Sequence, residues 1–341
     1  MSFPHGTDAG LDSVKATPLG DRFAWNRRAF LHAAGWASLG GLGVSSLSAQ
    51  QTGPSARRPR PCLTPGSIGV EGKQMEVMEM AVRHGFEAVE PFPGFLAGKK
   101  SDLGEVRQVM KRHGLTWGAS GLSVDFRKDD NVFRQGMKGL PRLAQALQEF
   151  EATRVGTWIS PSHATLPYLQ NFKLHATRLR EIASLLKDHG LRLGLEYVGT
   201  HTLLVRQRYP FVHTLAETQD LIGEIGTGNV GVVLDTWHWW QAEDTPADIE
   251  SLKAEDIVSV DLNDAPAGIE KRSQLDHQRE LPGATGVIDV APFLRALAKI
   301  GYDGPVRPEP FNKVLNALPN ESALEATARA MKKTLALAGS F

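Results

Sequence analysis

Cysteine is almost missing from this chain: Cys62 is the only one in 341 residues. A single thiol excludes an intramolecular disulfide and any zinc site built on cysteine. It does not argue against an oxidising compartment, because a chain of this length buries enough core to hold without staples. An excess of charge is also missing. Basic and acidic residues each number 38, so the formal net charge is zero. Such a balance gives no overall footprint for nucleic acid and no attraction to an anionic membrane. The best apolar run, Ala33 to Leu47, is short and glycine-rich, a poor match to a hydrocarbon core of ~30 Å. The G-x-G-x-x-G spacing of a dinucleotide fold is absent too, since Gly66-Ser67-Ile68-Gly69-Val70-Glu71-Gly72 does not carry it. What remains, 41% hydrophobic and 22% charged, is the composition of a soluble globular protein.

The first fifty residues read as an address. Asn26-Arg27-Arg28-Ala29-Phe30-Leu31-His32 precedes the weakly apolar Ala33–Leu47 stretch, and Ser46-Leu47-Ser48-Ala49 offers small residues to a signal peptidase. Paired arginines, Phe-Leu and modest apolarity resemble a twin-arginine export signal. Residues 1–49 are therefore expected to be a signal peptide that engages the twin-arginine translocase. The protein is expected in the periplasm or otherwise exported, without stable membrane insertion after cleavage. Removing the signal leaves 34 basic against 35 acidic residues, still near neutral. Residues 50–61, QQTGPSARRPRP, read as a linker rich in Pro, Gly and Ser. Residues 62–341 are expected to form a single domain.

Within that domain short β-branched or apolar runs alternate with segments of helical period. The strand candidates are Ser67–Val70, Ala88–Pro91, Thr116–Ser120, Arg154–Ile159, Arg192–Tyr197, Val230–Asp235, Ile257–Leu262 and Pro305–Glu309. Amphipathic segments lie between them, among them Met75–Arg83, Leu103–Arg112, Leu140–Phe150 and Leu169–Lys187. Arg83-His84-Gly85, Lys111-Arg112-His113-Gly114 and Lys187-Asp188-His189-Gly190 put basic residues and then glycine at helix C-termini. That placement suits the macrodipole and the left-handed cap, so these histidines read as helix ends rather than ligands. Eight βα repeats predict an α/β fold, a (β/α)8 TIM barrel, in preference to an open doubly wound sheet.

A barrel builds its site at the C-terminal ends of its strands. Four consecutive strand candidates end in carboxylates: Glu196 in the fifth, Asp235 in the sixth, Asp261 in the seventh and Glu309 in the eighth. Like charges gathered at one rim are costly unless a cation or a proton compensates them. A divalent metal is the economical explanation, and oxygen ligation suits Mn²⁺, with Mg²⁺ or Co²⁺ as alternatives. Asp264 reads as a loop or capping residue. Glu90 ends the second strand with a weaker claim on the chemistry.

Leu195-Glu196-Tyr197, Leu234-Asp235-Thr236-Trp237-His238, Asp261-Leu262-Asn263-Asp264 and Glu309-Pro310-Phe311 resemble the metal motifs of the xylose isomerase-like superfamily of sugar isomerases and epimerases. The segment Arg279-Glu280-Leu281-Pro282-Gly283-Ala284-Thr285-Gly286-Val287-Ile288-Asp289 resembles its Pro-Gly-x-Gly segment before the last helix, and Gly301-Tyr302-Asp303-Gly304 the turn into its last strand. The resemblance implies that Glu196, Asp235 and Glu309 are metal ligands. Asp261 stands where the family usually has histidine, and it either ligates in that place or weakens the metal. By the same resemblance Glu196 and Glu309 are the catalytic pair, moving a proton α to a carbonyl through a metal-stabilised enolate. His238 and Arg279 are expected to meet the substrate. Trp237, with Trp239 and Trp240, is a candidate sugar-stacking wall, and His201, His163 and Arg206 are candidate pocket residues.

The implied activity is a metal-dependent isomerase or epimerase on a small-molecule sugar or keto-sugar. A lyase or dehydratase on a keto-sugar or keto-inositol would use the same site. An endonuclease IV-like nuclease needs more histidines than stand here, and a non-catalytic sugar-binding barrel is the remaining reading.

Overall fold

The computed structural model describes residues 58–97 and 100–339. The export signal and most of the linker lie outside the described residues. Among those described, no helix is long and apolar enough to cross a membrane. The strands in chain order are β1 (Arg60–Leu63), β2 (Ala88–Val89), β3 (Thr116–Trp117), β4 (Ala119–Gly121), β5 (Arg154–Ile159), β6 (Ser162–His163), β7 (Arg192–Tyr197), β8 (Tyr209–Pro210), β9 (Val230–Asp235), β10 (Ile257–Leu262) and β11 (Pro305–Pro308).

Nine of them form one parallel sheet in the order β3-β2-β1-β11-β10-β9-β7-β5-β4. Its two ends, β3 and β4, are separated in sequence by Gly118 alone. They are two halves of one strand position, so the sheet returns on itself as an eight-position barrel, as the βα alternation predicts. Gly118 cannot carry a side chain without meeting the Cys62 sulfur, which would lie 2.5 Å from its Cβ. Gly194 on β7 is equally constrained, because a Cβ there would sit 2.8 Å from Val233 and Val258. Leu63, Val155, Leu193, Leu195, Leu234, Val260 and Val306 are all buried in the core beneath the covering helices. β6 and β8 form a small separate antiparallel pair.

The strands from β5 through β10 that lie in the barrel match the sequence reading residue for residue. The first does not. Ser67 and Ile68 lie in a 3-10 turn, Pro65–Ile68, and the first strand is Arg60–Leu63, whose first two residues read as linker. Proline is disfavoured in a strand because it lacks a donor. Here Pro61 stands near the strand start, where Arg60 N–H bonds Gly304 O and the Pro61 carbonyl accepts from Glu87. The helix expected from Leu140 begins ten residues earlier, as Asp130–Glu149, with Asp129 capping Val132 N–H at 3.1 Å. Pro141 mimics a helix start but sits inside this helix. The basic-His-Gly junctions do end helices, with Gly85, Gly114 and Gly190 at φ of 76°, 64° and 71°.

Candidate active site

Parallel pairing sets the carboxylates side by side at the C-terminal rim. Asp261 on β10 is in register with Asp235 on β9 and with Arg307 on β11, and Glu196 on β7 is in register with Val233 of β9. Glu309 follows β11 directly and its N–H bonds Leu262 O. As a result Glu196, Asp235, Asp261 and Glu309 each place one oxygen within 4.8 Å of the others. Asp235 and Asp261 are fully buried.

Two guanidinium groups enter this cluster, and the sequence reading anticipated only one of them near the site. Arg307 grips Asp261 as a fork, Nε to Oδ1 at 2.5 Å and Nη2 to Oδ2 at 2.6 Å, and Nη2 also reaches Glu309 Oε1 at 2.8 Å. Both Asp261 oxygens are therefore committed to Arg307, the strongest pairing a carboxylate makes with a side chain. Asp261 thus converges with the other three carboxylates as expected and is also the counter-ion of Arg307. A signal existed, since Arg307 stands two residues before Glu309 and strand alternation sends both side chains the same way.

Arg279 is buried and spends all five N–H groups on protein acceptors. Nη1 donates to Asp235 at 2.7 Å and Glu309 at 3.1 Å; Nη2 donates to Asp276 at 2.8 Å and His238 at 3.2 Å; Nε donates to the Asp276 carbonyl at 2.8 Å. Arg279 lines the cavity and at the same time holds the side chains around it in place. Because Arg279 can only donate, His238 Nε2 is an acceptor and its proton sits on Nδ1, 3.5 Å from Thr200 Oγ1. Burial depresses the His238 pKa, with Arg279 adding to the effect against the pull of Asp235 and Asp276. His238 lines the cavity as a neutral imidazole.

The carboxylates divide into two kinds. Burial would raise Asp235, but Arg279, His238, Asn263 Nδ2–H and Trp237 N–H hold it down at about 2. Its Oδ1 also caps the short helix Thr236–Gln241, at 2.6 Å from Trp237 N. Glu196 goes the other way: burial first, then Glu309, Asp261 and Asp235, push it well above the usual carboxylate range. Burial lifts Glu309 to about 8 against the two arginines. Asp264 is the loop residue expected, bonding the N–H groups of Ala265, Thr285, Gly286 and Ile288.

A cavity of about 650 Å³ opens over this rim, lined by Glu196, His238, Arg279 and Glu309 and extending to Trp158, His163, His175 and Arg206. His163 and Arg206 thus line it as expected. His201 is not among the lining residues. Trp237 is fully buried against Ala265 and Ile288 and donates to Thr200 Oγ1 at 2.8 Å. Trp239 packs on Phe293, and Trp240 lies under Lys271. The expected tryptophan wall is therefore core and loop packing, because the helix starting at Thr236 turns those rings away. Glu90 is partly buried and lines a separate, smaller cavity with Phe92 and Phe95. Phe311 holds φ at 40°, a left-handed backbone that costs a bulky residue energy, and lies 4.7 Å below the Arg279 guanidinium at the cavity edge.

The donor set suits a hard divalent cation. Arg279 and Arg307 brace Asp235, Asp261 and Glu309, and Glu196 Oε1 is buried with no hydrogen-bond partner among the described residues. Glu196, Asp235, Asp261 and Glu309 converge to offer such an ion oxygen, and His238 closes a second group with Glu196 and Asp235.

A closed parallel barrel with an anionic, arginine-braced rim defines the class: a (β/α)8 barrel protein with its site above the strand ends. The chain belongs to the xylose isomerase-like TIM barrel family, whose model matches residues 78–334. It is 27% identical over 258 residues to a 3-dehydroshikimate dehydratase of Pseudomonas aeruginosa, covering 75% of this chain and 39% of that protein. It is 29% identical over 259 residues to a ketose 3-epimerase of Arthrobacter globiformis, covering 72% and 80%. A xylose isomerase domain protein of Alicyclobacillus acidocaldarius superposes with a TM-score of 0.72 at 31% identity, covering 82% of this chain and 99% of that one. The chain thus spans well under half of the dehydratase and most of the epimerase.

Proposed function

We propose that this protein is an exported isomerase or epimerase that moves a proton at a carbon α to a carbonyl in a sugar or keto-sugar. One observation carries the reading: Glu196 and Glu309 bring carboxylate oxygens within 4.8 Å of each other at the head of the cavity. They come from strand positions separated by β9 and β10, so they approach a bound carbon from different sides. Arg279 and Arg307 fix Glu309, while Glu196 keeps one oxygen free. Both carboxylates are raised in pKa by burial, which makes each a better base than an exposed glutamate and able to carry the proton back. A divalent cation held by Glu196, Asp235 and Glu309, Mn²⁺ in our reading, would polarise the substrate carbonyl. The epimerase relative supports this class of chemistry, and the dehydratase relative supports a second outcome, expulsion of a β-substituent after the same proton abstraction. The Arg27-Arg28 segment supports export by the twin-arginine route to the periplasm.

The test is exchange of the α C–H of a panel of 2-keto- and 3-keto-sugars with solvent deuterium. Wild-type protein should exchange, and Glu196→Gln and Glu309→Gln should each lower exchange by at least about a hundredfold, the scale of acid–base catalysis. Metal content is measured on the same samples. Undiminished exchange in either variant, or no exchange on any sugar by metal-loaded wild type, overturns the proposal. Release of water or an alcohol would assign the lyase outcome.

A further inference from the structure

The cavity runs past the carboxylate rim into a second polar end that the proton-transfer reading leaves unused. Trp158 on β5 is in register with Glu196 on β7, so the two side chains point the same way and Trp158 stands next to the reacting end. Trp158 is 46% exposed. Arg127 stacks on it at 4.1 Å and on Phe126 at 5.0 Å, and Phe126 meets His175 edge-on at 5.4 Å. These contacts lead outward from Glu196 to the helix Tyr168–Asp188, where Asn171 and His175 line the same cavity.

Asn171 and His175 are each 2% exposed, and each has a polar atom without a partner among the described residues: Asn171 Oδ1 and His175 Nε2. The tautomer of His175 is fixed by its neighbour. Nδ1 lies 3.0 Å from the Asn171 carbonyl, which can only accept, so the proton is on Nδ1 and Nε2 offers a lone pair. On the other wall His163 Nδ1 accepts from the N–H groups of Thr165 and Leu166 at 3.1 and 2.8 Å. Its proton therefore sits on Nε2, available to the cavity. Buried acceptors left unpaired are costly, so the two on the helix call for donors. A cation is disfavoured there, because Arg127 and Arg178 already act on His175 and, after burial, help hold its pKa at about 4. An anion would face two lone pairs. A hydroxyl satisfies both conditions, since it donates to an acceptor and accepts from His163.

We propose that Asn171, His175, His163 and Trp158 form a second subsite for the hydroxyls of a distal sugar ring, making the substrate a disaccharide or glycoside rather than a single sugar. A volume of about 650 Å³ lies within the roughly 300–1,000 Å³ that enclose ligands of that size. The inference deepens the functional reading above by placing the reacting ring at Glu196 and Glu309 and the second ring at Trp158 and beyond.

Calorimetric binding of sucrose, trehalose and cellobiose, against glucose and fructose, tests it on the purified protein. At least one disaccharide should bind about tenfold more tightly than its own constituent monosaccharides, a difference of 1.4 kcal/mol. His175→Phe, which fits among Phe126 and Phe211, and Asn171→Ala should bring that ratio close to one. Trp158→Ala, at a half-exposed position, should lower it too and serves where a helix variant does not fold. No disaccharide preference in wild type, or a preference kept in the folded variants, overturns the subsite. Glu196→Gln separates the two readings, because it should abolish deuterium exchange while keeping the preference. Preference without exchange in wild type would leave the subsite standing and remove the proton-transfer function. Exchange without preference would do the reverse.

Discussion

Arg307→Met removes the guanidinium that forks Asp261 and braces Glu309 while keeping much of the stem. Asp261 is fully buried, and the Arg307 side chain is 27% exposed. Breaking a buried pair by deleting one partner costs ~3–5 kcal/mol, most of it the penalty for the stranded charge. Partial exposure of Arg307 places this case at the lower end, at ~3 kcal/mol. Asp261→Asn strands Arg307 in turn, but the amide oxygen still accepts one bond, so about half that loss is expected. The double variant Asp261→Asn with Arg307→Met should recover part of the deficit, because the Asp261 charge is no longer left alone. Urea unfolding monitored by circular dichroism, with unchanged m-values, gives the four stabilities of the cycle. A coupling energy of at least ~1 kcal/mol is expected for residues in one network. Additivity within ~0.5 kcal/mol would refute the assignment of Asp261 as the counter-ion of Arg307. The same pairing bears on metal. Asp261→His alone sets an imidazole against a stranded guanidinium and should not strengthen metal binding. Asp261→His with Arg307→Met should, as measured by metal retention through gel filtration.

Two further outcomes follow from single features. Asp264→Ala removes the acceptor for four backbone N–H groups in the 265–288 loop, and at ~1 kcal/mol or more for each donor left unsatisfied should cost several kcal/mol. It should also raise proteolytic nicking between Pro282 and Ile288 well before global unfolding; an unchanged cleavage pattern would count against the clamp. Arg27→Lys combined with Arg28→Lys should keep a reporter fused after Ala49 inside the cell, and export indifferent to that change would point to a different route.

The barrel was legible because its strands are short apolar runs whose ends carry carboxylates, and closure makes those ends neighbours. Only a parallel sheet turns the spacing of Glu196, Asp235, Asp261 and Glu309 along the chain into adjacency. The first strand escaped notice because Pro59 and Pro61 flank Arg60, and proline reads as linker until the missing donor is seen to fall where pairing begins. The tryptophans misled for a related reason. Trp237, Trp239 and Trp240 follow a strand end, but Asp235 caps the helix they occupy, and its first turn sends Trp237 towards Ala265 and Ile288. Asn171 and His175 stand four apart on one helix face, a spacing that core positions share. Only the fold shows that this stripe ends under a cavity.

A four-carboxylate cluster read from sequence implies a metal by default, because nothing else within the motifs neutralises it. Arg307 and Arg279 change the sum, pairing with Asp261, Asp235 and Glu309 at distances of 2.5–3.1 Å. They do not complete it, since Glu196 Oε1 has no hydrogen-bond partner among the described residues. The chain has therefore moved part of the work of a cation onto its own last strand, where alternation places Arg307 beside Glu309. A site arranged this way holds its geometry before any ion arrives, because Asp235, Asp261 and Glu309 are oriented by fixed guanidinium groups, and Glu196 is the carboxylate left free to respond to ion and substrate.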